Sequence, residues 1–193
     1  MNLIKKTFLI LISLIAINAH ALVLVEPHLG LNISGTGHDS AIPAKTFLYG
    51  GGQYGLKLGA QYLNAMAGID YNHSSFEQMT SGYKNKFSRT EWGIFLGYNF
   101  PAIARFWGTY FFSNSANAES ASGLIPQNAK YEGHTFELGA GYAGISYCSI
   151  NFAYRFVTLT KYIASGSTSS LTGSTEVNNN EIVLGVSAPF DFF

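Results

Sequence analysis

Read from Val23, the chain alternates. Val23, Val25, Pro27, Leu29, Leu31 and Ile33 share one parity, while Glu26, His28, Gly30 and Asn32 share the other. Successive side chains of an extended strand point to opposite faces, so this pattern predicts a strand with one apolar side. The stretch from Arg89 repeats it: Arg89, Glu91, Gly93, Gly97 and Asn99 oppose Trp92, Ile94, Leu96, Tyr98 and Phe100, with Phe95 the bulky intruder on the polar row. Continued along the chain, the alternation predicts eight segments at about 22–33, 47–60, 65–74, 87–100, 104–113, 131–143, 147–159 and 180–193. Their connections differ in kind. Residues 61–64, 101–103 and 144–146 are tight turns, whereas 34–46, 75–86, 114–130 and 160–179 read as long polar loops. Short turns at one end and long loops at the other describe an up-and-down antiparallel meander. Gly50-Gly51-Gly52 has no Lys-Ser/Thr pair or helix after it, so it predicts a bend or bulge in the second strand rather than a phosphate loop.

The charges follow the alternation. Glu26, Lys57, Asp70, Arg89, Glu91, Arg105, Glu137, Arg155, Glu181 and Asp191 fall on the face that carries Gly, Ser, Asn and Gln. Glu132 is the exception, with the parity of the apolar row at the loop end of its segment. The opposite face carries a continuous apolar set that includes Leu58, Ile69, Phe106, Leu138, Phe152 and Leu184. Such a face is too large to leave in water.

Composition decides where that face points. Charged residues are 11% of the chain, against about 25% in an ordinary soluble domain, and aromatics are 15%. A soluble barrel would turn its apolar face inward and need a dense charged exterior, which these residues cannot supply. A membrane barrel inverts the arrangement, and closing the sheet satisfies every backbone N–H and C=O that lipid cannot. The fold class predicted is therefore all-β, an eight-stranded antiparallel up-and-down transmembrane β-barrel. An eight-stranded bore is just wide enough for side chains to fill, so the ten charges are expected to form an interior network, with Trp107 and Phe111 also pointing inward. On the lipid side, Trp92, Tyr98, Phe100, Phe106, Tyr142, Phe190 and Phe192 are expected at the membrane–water boundaries, which amphipathic rings prefer.

The N-terminus adds a destination. Lys5 and Lys6 precede the apolar run from Phe8 to Ile17, and Ala19-His20-Ala21 offers small residues where a secretory cleavage site wants them. Residues 1–21 thus read as a cleaved signal peptide and 22–193 as the barrel domain, with nine basic against eleven acidic residues left. Beyond the signal, no continuous apolar run approaches the roughly 20 residues of a spanning helix. A near-neutral chain has no basic footprint for nucleic acid. Cys148, alone in an exported chain, reads as a structural thiol, and no His/Cys/carboxylate spacing suggests a metal or any other cofactor.

The signal, the eight alternating segments, the short turns against long loops and the ending Phe190-Asp191-Phe192-Phe193 together resemble the small bacterial outer-membrane β-barrel proteins, the OmpA-like, OmpX-like and OmpW-like group. The resemblance spans the whole mature chain and rests on pattern rather than a catalytic motif. It implies a Gram-negative outer-membrane location with periplasmic termini and extracellular loops, in contact with outer-membrane lipid and lipopolysaccharide. A terminal aromatic residue in that group resembles a signal for the barrel-assembly machinery. Phe193 is the candidate here, although the apolar row has the parity of Phe192. The role implied is structural or surface-interacting, without catalysis, as a monomer whose loops could meet an unknown surface ligand. Two other functions stay open. One is a narrow channel for small solutes. The other is a lipid-modifying enzyme: His73 and Ser75, two apart near the outer rim with Glu77 nearby, resemble the arrangement in outer-membrane lipid A deacylases.

Overall fold

The computed structural model describes residues 21–39, 45–80, 83–100, 103–120, 126, 128–145, 147–172 and 176–192. The signal-peptide reading and Phe193 therefore lie outside the described residues, Ala21 apart. Among the described residues there are ten strands: β1 Leu22–Asp39, β2 Lys45–Tyr62, β3 Ala65–Thr80, β4 Tyr83–Phe100, β5 Ala104–Ser120, β6 Lys130–Ile145, β7 Cys148–Ala164, β8 Ser167–Ser170, β9 Val177–Ser187 and β10 Phe190–Phe192. Each neighbouring pair is antiparallel, and β9 pairs with both β7 and β1, which closes the ring. Among the described residues no helix is long and apolar enough to cross a membrane, which says nothing against crossing by strands.

Eight staves result. β9 and β10 are two parts of the last one, and β8 is a short return that pairs only with β7 through the turn at Ser165-Gly166. The break in the last stave has a local cause. Pro189 lacks the N–H that a ladder position needs, so regular pairing stops there, and the Ala188 N–H instead donates to the Pro27 carbonyl at 3.0 Å. At the short-turn end the β2–β3 connection is tighter than the sequence suggests. It turns at Leu63-Asn64 alone, with Leu63 at φ 55°.

The predicted long loops need correction. β3 runs on to Thr80 and β4 begins at Tyr83, so most of 75–86 is hairpin; β5 continues through Ser120, and 160–179 contains the end of β7, β8 and the start of β9. An 18-residue strand at about 3.4 Å per residue and a tilt of about 40° rises about 45 Å, well above an apolar band of about 25 Å. The surplus stands beyond the band as a polar-walled barrel extension.

Bulges mark the transition into that extension. β1 falls out of step with β2 between Asn32 and Gly35, opposite the Gly50–Gly52 run; β5 shifts between Phe111 and Asn114; and the β6–β7 ladder shifts at Glu132/Gly133. At each, an extra residue resets the alternation. Phe112 and Ser113, for example, both face outward between inward Phe111 and Asn114. Strict period two cannot foresee this.

Candidate functional site

The bore is filled in tiers, ordered from the short-turn end. Lowest, Arg105 of β5 meets Glu26 of β1 at 2.6 Å, beside a cluster of buried Leu24, Met66 and Phe95. Next, the Asp70 carboxylate takes Lys57 at 3.1 Å and His28 Nε2 at 3.2 Å. The third tier is the largest. The Arg155 guanidinium meets Glu91, lies 3.3 Å from Glu137 and 3.5 Å from Glu181, and donates to Gln53 Oε1 at 3.1 Å. Arg89 grips Glu181 with both terminal nitrogens, at 2.7 and 2.8 Å. Glu91 also accepts from Asn72, Asn114 and Thr135, and Glu137 accepts from Trp107 Nε1 at 2.9 Å.

This geometry matters because an ionised group removed from water is tolerable only when paired and hydrogen-bonded. Four cations, Lys57, Arg89, Arg105 and Arg155, face five carboxylates, Glu26, Asp70, Glu91, Glu137 and Glu181, all buried. The bore is thus close to electrically balanced. Arg155 also stacks its guanidinium over Phe111, 5.4 Å from the ring centre, and Lys57 and Arg105 flank Trp107. Asp191 departs from its expected place. It is exposed on β10 opposite Leu24, at the mouth of the barrel, and joins no ion pair among the described residues. Terminal position, rather than parity, explains this: no second layer of side chains covers it.

Above the ions lies an apolar lid that sequence reading missed. Phe76 and Phe87 stack at 5.4 Å between ring centres, with Ala116, Ala118, Ala129, Tyr131 and Tyr162 around them. Val157, Leu159 and Val177 continue the layer. Phe76, Ala116, Ala118, Ala129, Tyr162 and Val177 sit in stretches that composition presents as polar loops, while Phe87, Tyr131, Val157 and Leu159 lie at the ends of predicted strands. Only the surviving alternation in 76–87 could have signalled it.

Shape is as constrained as charge. A Cβ on Gly139 would lie 2.1 Å from the Trp107 indole, so glycine makes the room that this inward ring occupies. We expect Gly139→Ala to destabilise the barrel by about 1–3 kcal/mol, the usual penalty for overpacking. In a Trp92→Phe background, Trp107 emission should shift to the red as its bond to Glu137 is lost. Unchanged emission and an unchanged denaturation midpoint would show that the ring has space to spare.

The outer wall has the opposite character. Trp92, Tyr98, Phe100, Phe106, Tyr142, Phe190 and Phe192 are all exposed on it, as are Leu29, Ile94, Leu96, Leu138 and Phe152 between them. Phe100 packs edge-on against Tyr98 and Phe106 near the short turns, and Tyr71 against Trp92 toward the other end. Beyond Trp92 the wall turns polar. Cross-strand pairs Lys84–Glu77 at 2.7 Å and Lys86–Glu119 at 3.0 Å stand there with Lys130–Glu132 at 2.6 Å along β6, all part-exposed.

His73 lies at this boundary, but its partners are not those that the deacylase resemblance requires. Its Nδ1 is 3.1 Å from the Thr90 hydroxyl and its Nε2 3.4 Å from the Ser88 hydroxyl, both across the ladder on β4. Ser75 pairs with Ser88 and makes no side-chain bond to His73 among the described residues, while Glu77 is held by Lys84. Residues two apart on a strand share a face but lie farther apart than cross-strand partners, which explains why the neighbours won.

No protein-family model matches the sequence, and no curated protein does. Solved structures do match. Neisserial surface protein A superposes with a TM-score of 0.55 at 12% identity, covering 87% of this chain and 97% of the other. The outer membrane protein AlkL, determined in lipid bilayers, gives 0.50 at 9% identity over 91% and 93%. Ail, the attachment invasion locus protein of Yersinia pestis, gives 0.49 at 6% over 90% and 100%. At such identities the likeness speaks for fold alone. Taken with the closed ring, the ionic interior and the apolar exterior, it makes the chain an eight-stranded up-and-down transmembrane β-barrel with the fold of the small outer-membrane barrel proteins.

Proposed function

We propose that this protein is a resident of the Gram-negative outer membrane with a structural or surface-interaction role, noncatalytic and closed to solutes. Its termini and short turns face the periplasm, and the strand extensions beyond the aromatic band stand outside the cell as the contact surface. The observation that carries this reading is the filled bore. Among the described residues, buried Leu24, the three ionic tiers and the Phe76–Phe87 lid follow one another along the barrel interior, which supports a closed bore. Orientation is supported by the asymmetry of the ends, since tight turns and both described chain ends lie on one side and the polar-walled extensions on the other. Assembly-machinery recognition of the final aromatics belongs to the same proposal.

Planar-bilayer recording of the refolded barrel tests it. The expected trace is silent for the native protein. Steady unitary conductance that changes when Glu137 or Arg155 is neutralised would overturn the closed-bore reading in favour of a narrow channel.

A further inference from the structure

A cavity of about 410 Å³ opens on the outside of the wall where β5, β6 and β7 meet. It exists because two register breaks coincide there. The β5 bulge turns Ser113 outward beside Phe112, and the extra residue in β7 turns both Thr160 and Lys161 outward, where regular alternation would have sent Lys161 into the bore. Bulges of this kind re-aim side chains. The cavity is graded from bottom to top: Tyr110 and Phe112 form its lower lip within the apolar band, His134 lies 6.1 Å ring to ring from Tyr110, and Lys130 and Lys161 form its upper rim.

The rim charge is unbalanced. Glu132 is the carboxylate between the two ammonium groups, close to Lys130 at 2.6 Å and loosely facing Lys161 at 3.9 Å. One positive charge is left over at the height where lipid headgroups sit, with the hydroxyls of Ser113, Ser115 and Thr160 on the cavity walls. The volume falls in the range of roughly 300–1,000 Å³ usual for ligand pockets. Here Glu132 ceases to be an anomaly of parity. It spaces the two lysines on the outer wall.

We infer that this groove binds the phosphorylated headgroup of an acylated glycolipid of the outer leaflet, its phosphate on the loosely paired Lys161 ammonium with Lys130 beside it, its sugar against the serine and threonine hydroxyls, and an acyl chain over Tyr110 and Phe112. The site rests on the membrane orientation proposed above. A glycerophospholipid would meet the lysines yet leave most of the hydroxyl-lined space unused, and free phosphate would gain nothing from the aromatic lip.

Native mass spectrometry of the barrel in mixed nanodiscs tests the inference, with bisphosphorylated lipid A as probe against its dephosphorylated form, phosphatidylglycerol and inorganic phosphate. Bisphosphorylated lipid A should be retained on the protein, and Lys130→Gln with Lys161→Gln should reduce retention by roughly tenfold or more, since each lysine near a lipid surface contributes appreciably. Removing the lipid A phosphates should do the same. Lys84→Gln with Lys86→Gln makes an equal charge change one face away and should leave retention intact. Equal loss in that control, equal retention of phosphatidylglycerol or inorganic phosphate, or full retention by the Lys130/Lys161 variant would each overturn the site. Failure of the native chain to enter nanodiscs as a folded barrel would instead overturn the membrane reading on which it rests.

Discussion

Arg155→Gln is expected to cost the folded barrel about 3–5 kcal/mol, the penalty for leaving buried charges without their partner. The guanidinium is fully buried and touches Glu91, Glu137 and Glu181 together. Its loss leaves Arg89 alone to balance that tier. Equilibrium urea unfolding in lipid vesicles reads the effect, and pairing Arg155→Met with Glu91→Leu should recover part of it, because an apolar pair leaves fewer stranded charges than a broken one. A loss below about 1 kcal/mol would mean that these groups exchange freely with water, and the filled bore would have to be abandoned.

The second large effect lies on the opposite face of the same wall. Leu96→Arg sets a charge at mid-height of the apolar exterior, where Leu96 is 70% exposed between Ile94 and Tyr98. The expected cost is about 2–4 kcal/mol in bilayers, falling toward zero near the boundary. Asn117→Arg is the matched comparison, since Asn117 faces outward on the extension of β5, beyond the band. It should change stability little. The two substitutions would come out alike if Leu96 faced water.

The contrast between these faces was written in the period-two alternation, and so was the inward placement of Trp107 and Phe111. Ring closure followed from physics, because an open edge in lipid leaves unpaired backbone groups. Other features were illegible for definite reasons. Bulges at Phe112–Ser113 and Thr160–Lys161 each shift parity by one, so a pattern read outward from the membrane loses its phase just where the apolar lid begins. Ser-, Asn- and Thr-rich strands above the band have no lipid to exclude, so their composition looks like loop even where Phe76, Ala116 and Ala118 face a packed interior. Partners for individual ions depend on stagger between strands far apart in sequence; Arg89 reaches Glu181 across 92 positions, and no spacing rule encodes that. Asp191 had the right parity but stands exposed at the mouth, outside the packed tiers. The external groove needs two bulges on different strands at one level, which only the assembled sheet reveals.

The most direct test concerns which face of one strand meets lipid. Single cysteines carrying a spin label are placed at each position from 89 to 100 of β4, in a Cys148→Ser background, and their collision rates with oxygen and with a water-soluble nickel chelate are measured in membranes. Positions 92, 94, 96, 98 and 100 should show high oxygen and low nickel access, while 89, 91, 93 and 95 should be shielded from both. The reverse phase, with the Arg89 row open to nickel and the Ile94 row shielded, would contradict the barrel as described.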